Sequence, residues 1–409
     1  MPAFQPFRAL RYAPGADLDA VIAPPYDVLS DADIAALKAR DPHNITHLDV
    51  PAGGDLSRPG QAFKPAPGDD PYARAARRLR QWAAQGVLAQ DEAETYTIYR
   101  MGFQDASGAS RELVGLLGGL EVRDAGAGGV LPHERTTPKA ASDRLELTRA
   151  TQANLSPVWG LSLAAGLSEA LAAPGEPLGE VVADGVRHRV ERVAGPARVA
   201  QLTALLAADD VLIADGHHRY AVARAYRDEV RAATGRRDTP AEFTLAFVGE
   251  LVEEQLSIEA IHRLYSGVGW ERLRAALAAC FDLEPLAEVA PATLRQMAAE
   301  ARLVLLRPDG SAEWLIPKPG AFEAVRALDG AYLEHALAGL DGLEVSYQHG
   351  LPQMLDAVKT AAAGVLIRPT SLAEIRRTAR EGLLMPPKST FFTPKLRTGF
   401  AIRPLTPAV

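Results

Sequence analysis

Five consecutive residues near the middle of the chain bring together a carboxylate, a glycine, two imidazoles and a guanidinium, in the order Asp215, Gly216, His217, His218 and Arg219. The apolar run before them is typical of a strand, and the residues after them are typical of a helix. A helix that begins directly after a glycine turn presents backbone N–H groups and the positive end of its dipole, which together bind phosphate. The segment therefore predicts a phosphate cradle.

Side chains in the first turn of this helix would add to the cradle. Imidazole and guanidinium donors from His217, His218 and Arg219 would form charge-assisted hydrogen bonds to a phosphate, and we also assign His218 a catalytic role. Basic residues at a helix N-terminus oppose the dipole, and such local rules tend to be broken at functional sites. Two alternatives stay open: Asp215 caps the helix while the histidines satisfy buried backbone groups, or Asp215, His217 and His218 bind a metal.

A second candidate is the stiff segment Pro24-Pro25-Tyr26-Asp27. Its two prolines fix two φ angles and hold the phenol of Tyr26 and the carboxylate of Asp27 in one geometry. In phosphoryl transfer a carboxylate orients or deprotonates the acceptor hydroxyl, so Asp27 is predicted to be a catalytic base with Tyr26 beside it. The alternative is that Asp27 only caps the turn or the start of a helix.

Charged side chains also flank a polar stretch that has no periodicity, and these are His133, Glu134, Arg135, Asp143 and Arg144. Glu134 is a second candidate base. Glu134 and Asp215 are also predicted Mg²⁺ ligands, because substrate phosphates can complete a shell of hard oxygen ligands. The other four residues are predicted to contact substrate or to support the catalytic groups. A solvated loop is the alternative for the whole stretch.

The elements that would position these residues can be read from hydrophobic spacing and turn signals. In the first half, helices are predicted for Asp31–Arg40, with Ser30 as its N-cap, and for residues 73–85 and 197–207. Strands are predicted as two hairpins, residues 95–103 with 112–122 and residues 180–182 with 187–193. The apolar run 211–213 is predicted to be the strand that leads into the cradle.

The second half is predicted to alternate between strands and helices. Strands are expected at residues 242–250 and 303–306, and helices at residues 270–280, 291–299, 330–337, 351–361 and 371–381. The tail, residues 385–403, is predicted to be loop-rich. Its two lysines, Lys388 and Lys395, either lie in solvent or fold over an anionic ligand, and the solvated tail is the favoured interpretation.

Length and composition indicate a folded globular protein with two or more subdomains. The chain has 409 residues, of which 47% are hydrophobic and 23% charged. A single hydrophobic core usually stops growing below this length. The order of predicted elements favours a mixed α/β fold.

The charge balance limits the class of partner. A formal net charge of -7 argues against nucleic acid, whose phosphates require clustered Lys and Arg, whereas a local basic pocket suffices for a small anion. No apolar run approaches about 18 residues and the N-terminus lacks a signal-peptide pattern, so we expect a cytoplasmic protein without membrane contact. Cys280 is the single cysteine, which excludes a disulfide within one chain. The oligomeric state stays open, with a homodimer as one option.

Several motifs carry a resemblance to known families. Gly216–Tyr220, entering a helix, resembles the phosphate-binding motif of the ParB/sulfiredoxin-like superfamily, which includes CTP-binding partition proteins, sulfiredoxin and free serine kinases. Further segments resemble a bacterial and archaeal family of unknown function grouped with it, DUF1015, and these are Phe4–Leu10, Pro24–Val28, His133–Thr136, Asn154–Pro157 and Met385–Thr390. This second resemblance runs nearly from end to end. The family has no settled activity, so function is implied only through the superfamily motif.

The resemblance implies a ParB/sulfiredoxin-like nucleotide-binding unit over residues 1–240 and an additional α/β portion of undetermined role over residues 241–409. Sulfiredoxin chemistry is set aside, because that enzyme resembles this segment except for a reactive cysteine where His217 stands. Partition proteins carry a separate helix-turn-helix, and the sequence contains no basic recognition helix. Free serine kinase is therefore the closest analogy.

That analogy implies an enzyme that moves phosphate from a nucleotide, ATP or ADP, to the hydroxyl of a small metabolite with the help of Mg²⁺. The alternative is a regulator of the ParB type that binds nucleotide and hydrolyses it slowly or not at all. DNA partition is a third hypothesis, which the acidic charge disfavours. Nucleotide consumption that requires an acceptor separates the kinase from the regulator.

Overall fold

The computed structural model describes residues 1–52, 70–105, 108–132, 141–386 and 388–406, and at residues 141 and 142 it describes the backbone alone. The described residues form two compact units. The first contains those up to Ser257 together with those from Pro394 onward, and the second is Ile258–Thr393. This division differs from the sequence-based boundary at residue 240, because the strand Phe243–Glu250 lies inside the sheet of the first unit.

Strands are numbered β1 to β21 along the described chain. Those of the first half are β1 (Phe4–Gln5), β2 (Leu10–Tyr12), β3 (Leu88–Gln90), β4 (Tyr96–Gln104), β5 (Ser110–Glu121), β6 (Val130–Leu131), β7 (Ala153–Asn154), β8 (Val158–Ser162), β9 (Glu176–Ala183) and β10 (Val186–Val193). Those of the second half are β11 (Val211–Asp215), β12 (Phe243–Glu250), β13 (Ser257–Glu259), β14 (Ile261–Ser266), β15 (Phe281–Leu286), β16 (Leu303–Leu306), β17 (Ala312–Pro317), β18 (Glu344–His349), β19 (Ala363–Leu366), β20 (Phe391–Thr393) and β21 (Arg403–Pro404).

Helices are numbered in the same way. They are α1 (Leu18–Val21), α2 (Asp31–Arg40), α3 (Thr46–Asp49), α4 (Pro71–Ala84), α5 (Ala141–Thr151), α6 (Leu167–Ala170), α7 (Pro196–Leu206), α8 (His217–Thr234), α9 (Trp270–Cys280), α10 (Pro291–Glu300), α11 (Asp329–Leu337), α12 (Leu351–Ala357) and α13 (Leu372–Arg380). Of these described helices, none combines the length and the apolar character needed to cross a membrane.

A mixed nine-stranded sheet is the framework of the first unit. Its strand order is β6-β11-β8-β12-β5-β4-β10-β9, and β1 pairs with β5 as well. β11 runs parallel to β6 and β12 runs parallel to β8, whereas the other neighbouring pairs are antiparallel. The mixed α/β fold expected from the sequence is therefore confirmed.

The core of the first unit follows the two-residue period of its strands. Alternate residues point to one face of the sheet, as Val211 and Ile213 of β11 do, and they are buried there against Leu202 and Leu206 of α7. The partly buried Asp215 ends β11, so that the strand delivers a polar residue to the end of a buried element.

The best-defined helix start is that of α2, which has the bounds predicted for it. Ser30 accepts a hydrogen bond from the Asp33 backbone N–H at 3.2 Å, and the Asp33 carboxylate accepts one from the Ser30 N–H at 3.0 Å. This reciprocal capping box satisfies N–H groups that a helix end leaves without partners.

Asp143 and Arg144 lie in helix α5, so the stretch without periodicity does not extend to these two residues, and the rest of it, residues 133–140, lies outside the described residues. The helix buries a narrow face that contains Arg144 and Leu147, while its other described residues are more exposed. The hydroxyls of Thr148 and Thr151 donate back to carbonyls four residues earlier, at 2.8 and 2.7 Å. A buried arginine in this narrow face hid the helical period, because Arg reads as a polar residue in a sequence pattern.

The second unit contains an antiparallel six-stranded sheet with the order β15-β17-β16-β19-β14-β18. Both faces of its central strands β16 and β19 are buried, whereas the edge strands β15 and β18 are largely exposed. On one face Leu305 packs with Leu277 of α9, and on the other Val304 packs with Met354 of α12. Consecutive residues of β16 therefore enter different cores, which explains its continuous apolar sequence.

Candidate functional site

The predicted cradle has the expected strand, turn and helix. β11 ends at Asp215, Gly216 adopts φ 85° and ψ 28°, and α8 begins at His217. The first hydrogen bond of the helix runs from the Tyr220 N–H to the Gly216 carbonyl at 3.0 Å. Gly216 occupies the N-cap position of α8, and Asp215 directly precedes it as the last residue of β11.

Arg219 lies in the first turn of α8 and is buried. Its Nη2 donates to Asp215 Oδ2 at 2.6 Å and to Asp27 Oδ2 at 3.5 Å, and its Nη1 donates to the Pro157 carbonyl. Burial by itself lowers the pKa of Arg219, but the charges of Asp27 and Asp215 outweigh it and raise the pKa above its ordinary value. The guanidinium therefore joins two carboxylates from distant parts of the sequence.

Lys395 adds a second cation to Asp215. Its Nζ donates to Asp215 Oδ1 at 2.7 Å, so each oxygen of this carboxylate faces a different positive charge. The side chain of Lys395 is only 15% exposed, whereas Lys388 is exposed. Of the two tail lysines, one thus belongs to the cluster at the start of α8.

Asp27 reaches Arg219 from a single 3-10 turn, Tyr26–Val28, whose N-cap position is Pro25 and has no side-chain cap. The carboxylate is therefore not the cap of that turn. Asp27 Oδ2 faces Arg219, while Oδ1 is buried and has no hydrogen-bond partner among the described residues. A buried oxygen without a donor is costly, and it often marks a group that binds a ligand or a proton.

Arg144 organises the next layer of the site. It is buried, and its Nη2 lies 2.6 Å from Asp143 Oδ2 while its Nη1 donates to the Asp49 carbonyl at 2.6 Å. Its guanidinium carbon lies 4.3 Å from the centre of the Tyr26 ring, and that of Arg219 lies 5.9 Å from it. Burial lowers the pKa of Arg144, but the charges of Asp143 and Asp49 outweigh it and raise the pKa.

Asp49, which the sequence did not single out, is the most buried carboxylate of the cluster. It accepts hydrogen bonds from Arg144 Nη1 at 3.3 Å and from the Ser156 hydroxyl at 2.9 Å. Burial raises the pKa of Asp49 against the opposing effects of Arg144 and Ser156, and burial also raises the pKa of Tyr26. The Ser156 hydroxyl lies 3.1 Å from that of Thr398, which ties the tail to the same layer.

A cavity of about 50 Å³ lies within this layer, lined by Tyr26, Asp49, Arg144, Ser156 and Arg219 among others. This volume suits one or two water molecules and is far below the hundreds of Å³ that a nucleotide requires. A nucleotide at this site would therefore lie outside the buried layer, against the start of α8. The layer beneath would fix the positions of Asp27 and Asp215.

The structure brings together most of the residues that the sequence nominated. Tyr26, Asp27, Asp143, Arg144, Asp215, Gly216 and Arg219 form one connected cluster. His217 and His218 occupy the first turn of α8 and are partly buried. His133, Glu134 and Arg135 lie outside the described residues, so their predicted roles stay predictions.

The donor set for a metal is incomplete in the described part of the chain. Residues 1–52, 70–105, 108–132, 141–386 and 388–406 contain no group of three or more His, Cys, Asp and Glu side chains arranged to hold a metal ion. Asp215 is engaged by Arg219 and Lys395, yet each carboxylate oxygen has a further lone pair. Mg²⁺ bound by one or two carboxylates and substrate phosphates remains compatible with this arrangement.

The fold and site define a mixed α/β protein with carboxylates and cations gathered at a glycine-led helix N-terminus. The chain belongs to the family described as "Protein of unknown function (DUF1015)", whose model matches residues 4–331. The family resemblance noted in the sequence is thereby confirmed. No curated protein matches the chain.

Solved structures with some likeness to the chain have low identity. They include a variant free serine kinase in complex with ADP, at 11% identity and TM-score 0.39, covering 68% of this chain and 89% of that one. A conserved hypothetical protein from Pyrococcus furiosus has 12% identity and TM-score 0.37, covering 67% and 92%. SbnI with a C-terminal truncation, from Staphylococcus aureus, has 14% identity and TM-score 0.36, covering 67% and 84%. Likenesses of this degree carry no argument about substrate or reaction.

Proposed function

We propose that this protein transfers a phosphoryl group from a nucleotide, ATP or ADP, to the hydroxyl of a small metabolite. The observation that supports this most directly is the cluster of Asp27, Asp215, Arg219 and Lys395 around Gly216 at the start of α8. A helix N-terminus attracts phosphate, and adjacent carboxylates supply the base and the metal ligand that phosphoryl transfer requires. A purely structural ion-pair network would not explain why one oxygen of Asp27 is buried without a hydrogen-bond partner in the described chain.

The phosphates would be bound by the first turn of α8. Its backbone N–H groups and the side chains of His217 and His218 supply donors, and Lys395 supplies a compact positive charge beside them. Arg219 acts from behind this turn, because its guanidinium is already shared among Asp27, Asp215 and the Pro157 carbonyl. In this proposal Arg219 positions the carboxylates and adds to the positive potential.

Asp27 would be the catalytic base. Its side chain is 33% exposed and its Oδ2 lies at the long distance of 3.5 Å from Arg219, so the carboxylate would accept the proton of the acceptor hydroxyl. The acceptor oxygen then forms a bond to the phosphorus, the bond from phosphorus to the bridging oxygen breaks, and ADP leaves if ATP is the donor, or AMP if ADP is. His218 and Glu134 remain the other proposed catalytic residues.

Mg²⁺, when bound, would neutralise charge on the transferring group. Asp215 is its proposed ligand within the described chain, and Glu134 is the second. Lys395 and Arg219 hold Asp215 from two sides, so the carboxylate is fixed in place before any metal arrives.

An acceptor screen tests the proposal. The purified protein is incubated with Mg²⁺ and ATP or ADP and with small alcohols, beginning with L-serine, and nucleotide consumption and phosphorylated product are both measured. We expect consumption that requires an acceptor and that Asp27→Asn removes. Nucleotide binding with slow hydrolysis that no acceptor accelerates would instead favour a nucleotide-binding regulator.

A further inference from the structure

A second polar pocket lies elsewhere in the first unit, with a volume of about 340 Å³. Residues from four distant stretches line it: the N-terminal motif around Arg8, the segment with Gln90 and Glu94, the segment before β12 around Arg237, and β21 with Arg403. None of the residues assigned to the nucleotide site lines this pocket. Its size falls within the range of small-molecule sites.

Arg403 is the unusual residue of this pocket. It is 3% exposed, and no carboxylate of the described residues lies within ion-pair distance of it. Nη1 donates to the Phe243 carbonyl at 2.7 Å and Nη2 donates to the Pro240 carbonyl at 2.9 Å, whereas Nε has no partner in the described chain. Two carbonyls use two of the five N–H donors, and the guanidinium carbon lies 6.0 Å from the centre of the Phe7 ring, so the positive charge has weak contacts but no paired carboxylate among the described residues.

The other charged residues of the pocket do not supply that compensation. Asp238 is held by Arg236, with its two oxygens 2.8 and 3.1 Å from the guanidinium, and the Glu242 carboxylate is held by Arg231. Glu94 lies beyond ion-pair distance of Arg403. Its negative charge raises the pKa of Arg403, but burial has the larger effect and the pKa falls to about 10.

The pocket lining therefore carries a net positive charge. Asp238 and Glu242 are each paired with an arginine outside the lining. The remaining charged residues of the lining are Glu94, Arg8, Arg237 and Arg403. Arg8 is bound through Nε to the Asp91 carbonyl at 2.9 Å, a contact that orients its guanidinium without neutralising it. Three positive charges against one negative charge match a ligand with two negative charges.

We infer that this pocket binds the oxyanion groups of a small dianionic metabolite, either a phosphate ester or a dicarboxylate. Arginine forks pair with both kinds of group through two parallel hydrogen bonds. The ligand would supply the counter-charge that Arg403 lacks. The inference concerns a site separate from the start of α8 and stands whether or not the protein is a phosphotransferase.

Calorimetric titration at low ionic strength tests the inference, with inorganic phosphate and malonate as probes and chloride as the control anion. The variants are Arg8→Gln and Arg237→Gln, alone and combined, which leave the buried Arg403 and its carbonyl contacts intact. Arg187→Gln is the matched control, because it removes the same charge from an exposed position outside the pocket lining.

We expect the wild-type protein and Arg187→Gln to bind phosphate, malonate or both, and each pocket variant to bind about tenfold more weakly. Binding of one probe alone assigns the ligand to that chemical class. Phosphate held at the start of α8 does not depend on Arg8 or Arg237, so only a loss in these variants counts as support. Wild-type protein that binds neither probe, or a double variant that binds as well as wild type, overturns the inference.

Discussion

At the scale of single residues, the proposed reaction depends on Asp27. Its Oδ1 is buried without a hydrogen-bond partner in the described chain, and its Oδ2 faces Arg219. Asp27→Asn keeps the shape of the side chain but removes the base, so we expect phosphoryl transfer to fall by about 10² to 10⁴. Nucleotide affinity should change by less than about threefold, which calorimetry on the same protein would check. A variant that transfers phosphate at the wild-type rate would exclude Asp27 as the base.

For Arg219 we predict an effect on stability, because its guanidinium is already bonded to other groups of the protein. Arg219→Gln leaves the carboxylates of Asp27 and Asp215 without their shared cation, and we expect a loss of roughly 3–5 kcal/mol in the free energy of unfolding. Arg224→Gln, further along α8 and with no ion pair among the described residues, should change stability by no more than about 0.5 kcal/mol. Urea denaturation compares the two, and equal stabilities would show that the ion pairs contribute nothing.

Site residues could be predicted where a charged side chain stands next to a residue that fixes the backbone. Asp27 and the Asp215–Arg219 segment stand out because prolines or a glycine fix their backbone. Asp49 and Lys395 carry no such signal, since each is a single charged residue whose partner lies more than ninety positions away in the chain. Their roles come from tertiary contacts, which one sequence does not display.

At the scale of elements, the turn between β11 and α8 decides whether the cradle exists. Gly216 has φ 85°, and a Cβ there would lie 3.1 Å from the guanidinium carbon of Arg219. Gly216→Ala should therefore lose roughly 1–2 kcal/mol from backbone strain and a further amount from displacement of Arg219. We also expect it to weaken nucleotide binding, measured by calorimetry.

Gly235→Ala provides the matched control on the same helix. Gly235 has φ 69° at the C-terminal end of α8, but nothing lies within 4 Å of the Cβ position. It should lose a similar amount from strain and retain nucleotide binding. If both variants bind nucleotide equally well, the turn before α8 does not hold the phosphates.

Helices that begin with a capping residue, or whose apolar residues recur at helical spacing, were predicted well, as α2 and α9 show. β8 and α5 were not. β8 is buried along its whole length, so Val158–Ser162 has no alternation, and it contains Gly160. In α5 a buried arginine stands where the pattern requires an apolar residue.

At the scale of the whole molecule, the chain leaves the first unit at Ser257 and returns to it at Pro394. This return places Lys395 beside Asp215 and Thr398 beside Ser156, residues about 180 and 240 positions earlier in the chain. Length and composition predicted more than one subdomain, but they contain no information about a segment that returns. The sequence therefore supported the fold class better than the division into units.

Both units carry a buried histidine that should make the protein sensitive to acid. Burial lowers the pKa of His188 in the first unit and of His262 in the second to about 4, against 6.5 when unfolded. The unfolded chain thus binds more protons between these values, so stability falls as the pH drops from about 6.5 to 4, by roughly 3 kcal/mol per histidine. Urea midpoints across this range should be less dependent on pH in His188→Gln and His262→Gln. An unchanged slope in both variants would contradict the assignment.

A calorimetric comparison of lysine variants tests whether nucleotide phosphates bind at the start of α8. ATP and ADP are titrated with Mg²⁺ into the wild-type protein, Lys395→Gln and the control Lys388→Gln, an exposed lysine from the same tail. We expect the wild type and Lys388→Gln to bind alike and Lys395→Gln to bind at least about tenfold more weakly. A wild-type protein that binds neither nucleotide, or three proteins with equal affinity, would contradict this expectation.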